Sequence, residues 1–191
     1  MLQFQKATDN GRRTEVLWYP MRVTYGREEA IRQCLLADEV ENFLPMRREV
    51  YADERGHVRH RHIPAVRNLI FLHASQQRIT EMKMFQRQYQ PLRYMTDLLH
   101  HNILTVPDKQ MADFIRVASA PDNSVSVMAW NDDFFGKPGT KVRITDGDFK
   151  GVEGVIRRIK QNKRVVVELQ GIAVAAIAFI PPAYLEPLEN R

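Results

Sequence analysis

The sequence predicts an α+β protein in two parts. A ferredoxin-like antiparallel α/β sandwich spans residues 15–120, and a small β-barrel follows over 137–191. Residues 1–14 read as an N-terminal tail and 121–136 as a linker. Three observations carry this expectation. Up to about residue 120 the strand and helix patterns alternate as β-α-β-β-α-β-α, the order of an antiparallel sandwich with helices on one face. From Gly139 onward four short strand patterns follow one another without a helix, and closely spaced short strands favour a closed barrel, which removes exposed edges. Between them, Pro121-Asp122-Asn123-Ser124 and Asn131-Asp132-Asp133 are loop signals flanking one short strand pattern, Val125 to Trp130.

Val16 to Val23 is β-branched and aromatic, hence a strand, and Pro20 inside it points to an edge or a bulge because proline donates no ladder bond. Gly26 ends it. Arg27 to Ala37 places Ile31, Cys34 and Leu35 at helical spacing, with Glu28 and Glu29 at the positive end of the helix dipole. Asn42 to Tyr51 and Arg61 to His73 read as the arms of one long hairpin whose turn is Asp53-Glu54-Arg55-Gly56. Leu69 to Leu72 is continuously apolar, as a central buried strand should be. Gln77 to Gln86 is helical through Ile79, Met82 and Phe85, and Leu92 to Thr96 is a short strand. Pro107 opens a third helix with Met111, Phe114, Ile115 and Ala118 on one face. In the second part the strands are Lys141 to Ile144, Val152 to Ile159, Arg164 to Leu169 and Ile172 to Phe179.

Composition narrows the function. Of 191 residues 44% are hydrophobic and 27% charged, enough to bury a core. The net charge of +5 is compatible with an anionic partner without requiring one. A single cysteine, Cys34, excludes an internal disulfide framework and a Cys-rich zinc site, and points to a reducing cytoplasm. The N-terminus lacks the apolar run of a secretory signal, and the stretch from Ile172 to Ile180 is far shorter than the ~20 residues that span a bilayer. No membrane partner is expected. There is no phosphate-cradling glycine loop, no Gly-x-Ser-x-Gly elbow and no telling carboxylate pair, so nothing supports an enzyme, and no cofactor is expected.

One segment, Lys141 to Ile156, is the most informative. Gly147 and Gly151 bracket Phe149 and allow sharp turns, while Gly154 permits close backbone approach in the next strand. With Lys141 and Val142, this pattern resembles the KOW motif, an SH3-like barrel signature of transcription elongation factors and some ribosomal proteins. The first part adds Trp18-Tyr19, Tyr25-Gly26-Arg27-Glu28, Pro45 and Asn68-Leu69-Ile70-Phe71, which resemble the NGN domain of NusG-type factors. The order NGN, linker, KOW covers Leu17 to Leu188. Within that family the chain is most similar to the specialised paralogues of the Bacteroides UpxY type.

The resemblance implies a monomeric transcription elongation or antitermination factor. Its NGN domain would bind the clamp helices of RNA polymerase, on selected long operons such as those for surface polysaccharide. Its KOW domain would recruit a second partner, Rho or a ribosomal protein. The polymerase-facing strand of the family carries a Pro-Gly-Tyr or Pro-Asn-Tyr run where this chain has Arg67, Asn68 and Leu69. Val66, Asn68, Leu69 and Phe71 are therefore the candidate polymerase-binding residues. Leu69 and Phe71 share a strand face, so they either line a docking groove together or fill the core together.

A second candidate surface lies around the hairpin. Arg55, Arg59, His60, Arg61 and Arg67, with His57 and His62, fall in a segment without an acid. They read either as a basic finger for non-template DNA or nascent RNA, or as a solvated rim. His60 and His62 share a face, but arginine neighbours repel a metal cation. Arg157, Arg158, Lys160, Lys163 and Arg164 form a basic rim in the barrel that suits RNA, a protein or plain solvent. The alternative function is a ribosome- or RNA-associated KOW-domain protein.

Overall fold

The computed structural model describes residues 13–97, 101–121, 124–131, 135, 138–159 and 161–188. Almost all of the expected tail, parts of the expected linker and Lys160 lie outside the described residues.

Contacts divide the chain into two compact units: Met1–Leu44 with Asn68–Pro107, and Pro45–Arg67 with Asp108–Arg191. The first unit is built on strand β1 (Val16–Val23), helix α1 (Glu28–Ala37), strand β2 (Glu41–Phe43), strand β5 (Leu69–Ser75), helix α2 (Gln76–Phe85) and strand β6 (Leu92–Tyr94). Its four-stranded sheet has the order β2-β5-β1-β6, with every pair antiparallel. Strand β1 is thus central rather than an edge. Pro20 is accommodated because its carbonyl faces the β6 side, where it accepts from Met95 N–H at 3.4 Å, and the β1–β6 ladder covers only Met21 to Val23. The missing N–H falls just past the end of that ladder.

Alternation gives the sheet two faces. Tyr19, Met21, Ile70, Leu72 and Tyr94 share one. Helix α2 lies over it: the Tyr94 hydroxyl donates to Gln76 C=O at 3.2 Å, and Lys83 sits 4.7 Å above the Tyr94 ring. Trp18, Pro20, Phe43, Leu69, Phe71 and His73 share the other face.

The second unit contains strand β3 (Met46–Ala52), strand β4 (Val58–Pro64), helix α3 (Asp108–Ala118) and strands β7 (Val125–Ala129), β8 (Thr140–Ile144), β9 (Glu153–Ile159), β10 (Asn162–Leu169), β11 (Ala173–Ile177) and β12 (Leu185–Pro187). The last six form an antiparallel sheet ordered β12-β8-β9-β10-β11-β7. Phe135, Ile159, Val166, Val174 and Ala176 form a core on it, flanked by Met128, Trp130 and Val155. Strand β7 lies in the segment expected to link the two parts, yet it pairs along its whole length with β11.

The expected long hairpin divides in two. Between Phe43 and Met46 the first arm breaks at Leu44-Pro45; between Pro64 and Leu69 the second breaks at residues 65–68, where Asn68 adopts φ +60°. Proline removes a ladder donor and a left-handed residue turns the chain, so pleating does not continue through either. Phe43 accordingly pairs with Phe71 in the main sheet, while β3 and β4 pair only with each other, from Met46–Pro64 to Ala52–Val58.

Candidate functional site

The hairpin tip folds as its residues predict. Asp53 N–H donates to His57 C=O at 2.9 Å, Gly56 N–H donates to Asp53 C=O at 2.8 Å, and Gly56 takes φ +78°. The Asp53 carboxylate accepts from the amides of Arg55 at 3.0 Å and His57 at 2.9 Å, and from Arg59 Nε at 3.0 Å. These bonds hold its pKa below the ordinary carboxylate value, the His57 amide contributing most and Arg59 next.

Register assigns the hairpin side chains to two faces. Arg47, Glu49, Tyr51, Arg59, Arg61 and Ile63 occupy one, and Arg48, Val50, Val58, His60 and His62 the other. On the first, Arg61 is bound to Glu49 at 2.6 Å and lies 4.9 Å over the Tyr51 ring, while Arg47 reaches Glu49 at 3.6 Å. The segment from Arg55 to Arg67 holds no acid, but β3 and the tip supply Glu49 and Asp53 across the ribbon. The predicted set is therefore divided: Arg59 and Arg61 are ion-paired on one face and His60 is exposed on the other. Arg55 lies at the tip, and Arg67 is exposed beyond the hairpin's end.

The candidate polymerase-binding residues also separate. Asn68 is exposed in the turn before β5. Its N–H donates to Glu28 Oε1 at 2.6 Å, and its carbonyl accepts from Val23 N–H at 3.1 Å. Glu28 is itself buried and accepts from this amide, a role that its place in the first helical turn did not reveal. Leu69 and Phe71 do share a face, but they are only 3% and 0% exposed, and Val66 is buried as well. As an open groove the expectation is corrected: in this conformation all three side chains are core. Phe71 packs on Phe43 with ring centroids 6.4 Å apart, and further along the same face Trp18 stacks on His73 at 4.7 Å. Glu41 holds the His73 ring by a 2.6 Å contact to Nδ1.

In the second unit the glycines have distinct tasks. Gly147 and Gly151 take φ +80° and +86°, a region that only glycine enters without cost, and a Cβ on Gly154 would sit 2.7 Å from Val166 C=O. Lys141 is exposed, Val142 is buried and Phe149 is half-buried. The loop they frame is gripped by α3. Arg116 donates to the carbonyls of Lys150 and Asp148, both at 2.7 Å, and Lys109 donates to Gly151 C=O at 3.2 Å. Asp113, buried and ion-paired with Lys109, accepts from Glu153 N–H at 3.2 Å. The period of α3 pointed to its apolar residues; that its polar ones bind backbone 32 to 58 residues away is not a sequence signal. Of the basic rim, Arg157 is no rim residue, because it is held inside by Glu168 at 2.6 Å, whereas Arg158 and Lys163 are exposed cross-strand neighbours.

Among the described residues no group of three or more His, Cys, Asp or Glu could hold a metal ion, and no helix is long and apolar enough to cross a membrane.

Residues 17–115, more than half of the chain, match the family described as NusG, transcription termination factor nusG. The chain belongs to the NusG family. Residues 138–168 match the KOW motif, so the fold is an NGN domain followed by a KOW domain, mixed α/β with antiparallel sheets. No curated protein matches the chain. Among solved structures it is similar to one titled "Domain interaction in Thermotoga maritima NusG", at 19% identity and a TM-score of 0.45, over 92% of this chain and 98% of that one. NusG-family proteins are non-enzymatic transcription factors that interact with RNA polymerase and other factors. The two domains thus carry a general role in transcription elongation and antitermination.

Proposed function

We propose that the NGN domain, residues 15–120, docks on the clamp helices of RNA polymerase, and that the KOW domain, residues 137–191, reached through the linker at 121–136, recruits a second partner, Rho or a ribosomal protein. The chain would then promote processive transcription of selected long operons, surface-polysaccharide operons in particular, as a UpxY-type paralogue. Beside family membership, the observation that supports docking is the apolar sheet face opposite α2, bearing Trp18, Pro20, Phe43, Leu69 and Phe71. An amphipathic helix buries its own apolar stripe on such a face. Because Leu69 and Phe71 are buried in this conformation, binding through them, with Val66 and Asn68 beside them in sequence, requires the face to open. A ligand that binds only the closed clamp shifts the clamp equilibrium toward closure, and so disfavours pausing.

The test is titration of purified RNA polymerase with the full chain, together with transcription through a pause or terminator. Wild-type protein should bind and raise read-through. Leu69→Asp, which places an unpaired charge on the docking face, should weaken binding by roughly tenfold or more. Since Leu69 is buried, Leu69→Ala and a melting curve separate lost docking from lost fold. Failure of the wild-type chain to bind polymerase, with co-purification of ribosomal particles instead, overturns the proposal in favour of the ribosome-associated alternative.

A further inference from the structure

Near the tip of the β9–β10 hairpin, register sets Arg158 directly across from Lys163, and both are exposed. Like charges so placed, with Cβ atoms about 5 Å apart, repel each other and weaken the ribbon. Other basic residues of this unit are engaged: Arg143 on Glu153, Arg157 on Glu168, Lys109 on Asp113, and Arg116 on the carbonyls of Asp148 and Lys150. Among the described residues neither Arg158 nor Lys163 has an ion pair, and the sequence from Arg157 to Arg164 contains no acid. Alternation puts the two on the face of Ile156 and Val165. The β10–β11 register, last paired at Val166–Ala176 and continued past it, sets Phe179 level with Lys163. Ala178 still bonds toward β7, its N–H donating to Ser124 C=O at 2.6 Å. All five residues of β11 are buried, yet Phe179 is 71% exposed.

We propose that Arg158, Lys163 and Phe179 form a binding site for single-stranded nucleic acid on the KOW domain. The site goes beyond polymerase docking and does not depend on it. A guanidinium and an ammonium donate to phosphate oxygens, contacts that hold a strand without reading its sequence. A phosphate lying between the two cations also removes their mutual repulsion. The exposed Phe179 ring offers a face on which an unpaired base stacks, an interaction that tolerates any base. Bases inside a duplex are already stacked on one another, so the ring selects a single strand. An acidic peptide would match the charge but brings no base for Phe179. Arg164, across from Arg157 on the opposite face and half-buried, lies outside the site.

The experiment is fluorescence anisotropy of the full chain with labelled 20-mers of one arbitrary sequence, as RNA, single-stranded DNA and DNA duplex, and with a labelled poly-glutamate peptide, at several salt concentrations. Arg158→Ala/Lys163→Ala should weaken single-strand binding by roughly tenfold and lower the log–log salt slope by about 1.4, the share of two phosphate contacts. Phe179→Ala should weaken it by roughly fivefold or more and leave the slope unchanged. Lys141→Ala/Lys150→Ala takes the same charge from exposed positions elsewhere in the unit and should bind within about twofold of wild type. Circular dichroism confirms that the three variants are folded. Equal loss in the Lys141/Lys150 variant means that only net charge is felt, and overturns the site, as does unchanged binding in the Arg158/Lys163 variant. Unchanged binding of Phe179→Ala, tighter binding of duplex than of either single strand, or poly-glutamate bound as tightly as RNA overturns the choice of a single strand. With the variants behaving as expected, a preference for RNA or for DNA supports the site and names its source. Absence of wild-type binding to both single strands at low salt overturns the site and leaves polymerase docking, measured with purified polymerase, untouched.

Discussion

Asn68 stands at a left-handed φ of +60°, a conformation asparagine tolerates better than most residues, and its N–H is satisfied by a buried carboxylate from α1 rather than by a ladder. Glu28→Ala removes that acceptor and leaves a part-buried amide unpaired. The expected loss is about 1–3 kcal/mol of stability, measured by urea unfolding. Restoration by Glu28→Gln, whose carbonyl can still accept, would locate the effect in this bond; equal loss in both would place it elsewhere. At the hairpin tip Asp53 titrates below its ordinary value of 3.8 because ionised Asp53 accepts two amides and a guanidinium. The sign follows: folded-state pKa depressed, so the tip ordering is fully present above the unfolded value and is lost as pH falls through the folded one. Amide resonances of Arg55 and His57 should therefore hold steady from neutrality down to about pH 4 and shift only in stronger acid. Tyr89, fully buried, shows the converse case: burial, reinforced by its 2.7 Å bond to Asp38, pushes the phenol well above its usual range.

Elements are bounded here by single residues. Pro45 and Asn68 release the β3–β4 ribbon from the main sheet, although the apolar and β-branched texture runs on through both arms. Similarly, β9 and β10 can approach closely only because Gly154 has no side chain. Gly154→Val would press on Val166 C=O and on Val165 Cγ1, which is 2.9 Å from the Cβ position. Such overpacking should cost about 1–3 kcal/mol, seen as a lower urea midpoint for the full chain. An unchanged midpoint would mean that the two strands part without cost. Helix α3 illustrates a different determinant. Its apolar residues Met111, Phe114 and Val117 are fully buried, and it packs on β7, β10 and β11, where Ala173 and Ala175 share a face and have small side chains. Its polar residues then close on the Asp148–Gly151 loop, so helix and loop are held through side chain to backbone bonds.

At the scale of the molecule, most element positions were legible. Val16–Val23 is the first strand to the residue, and the helices begin and end within a residue or so of their periodic patterns. The KOW pattern and the NGN features together named the family that the two sequence matches show. The sites were less legible. A strand pattern fixes which residues share a face, and Leu69 with Phe71 do, but it does not say whether that face is covered. A run of arginines and histidines shows positive charge, but their partners Glu49 and Asp53 come from the opposite arm and from the tip, brought there by register and by the turn.

What the chain alone decided was therefore local and periodic: strands, helices, the tip turn, the glycine positions and the family signature, all of which depend on neighbours within a few residues. Tertiary structure decided the rest. It placed β1 in the middle of its sheet, joined β7 to β11, buried Glu28 beneath Asn68 and set Arg59 and Arg61 against Asp53 and Glu49. The first three depend on groups brought together from tens of residues apart, and the last on strand register between residues 6 and 12 apart, so burial and charge pairing are set by packing and pairing and not by local periodicity.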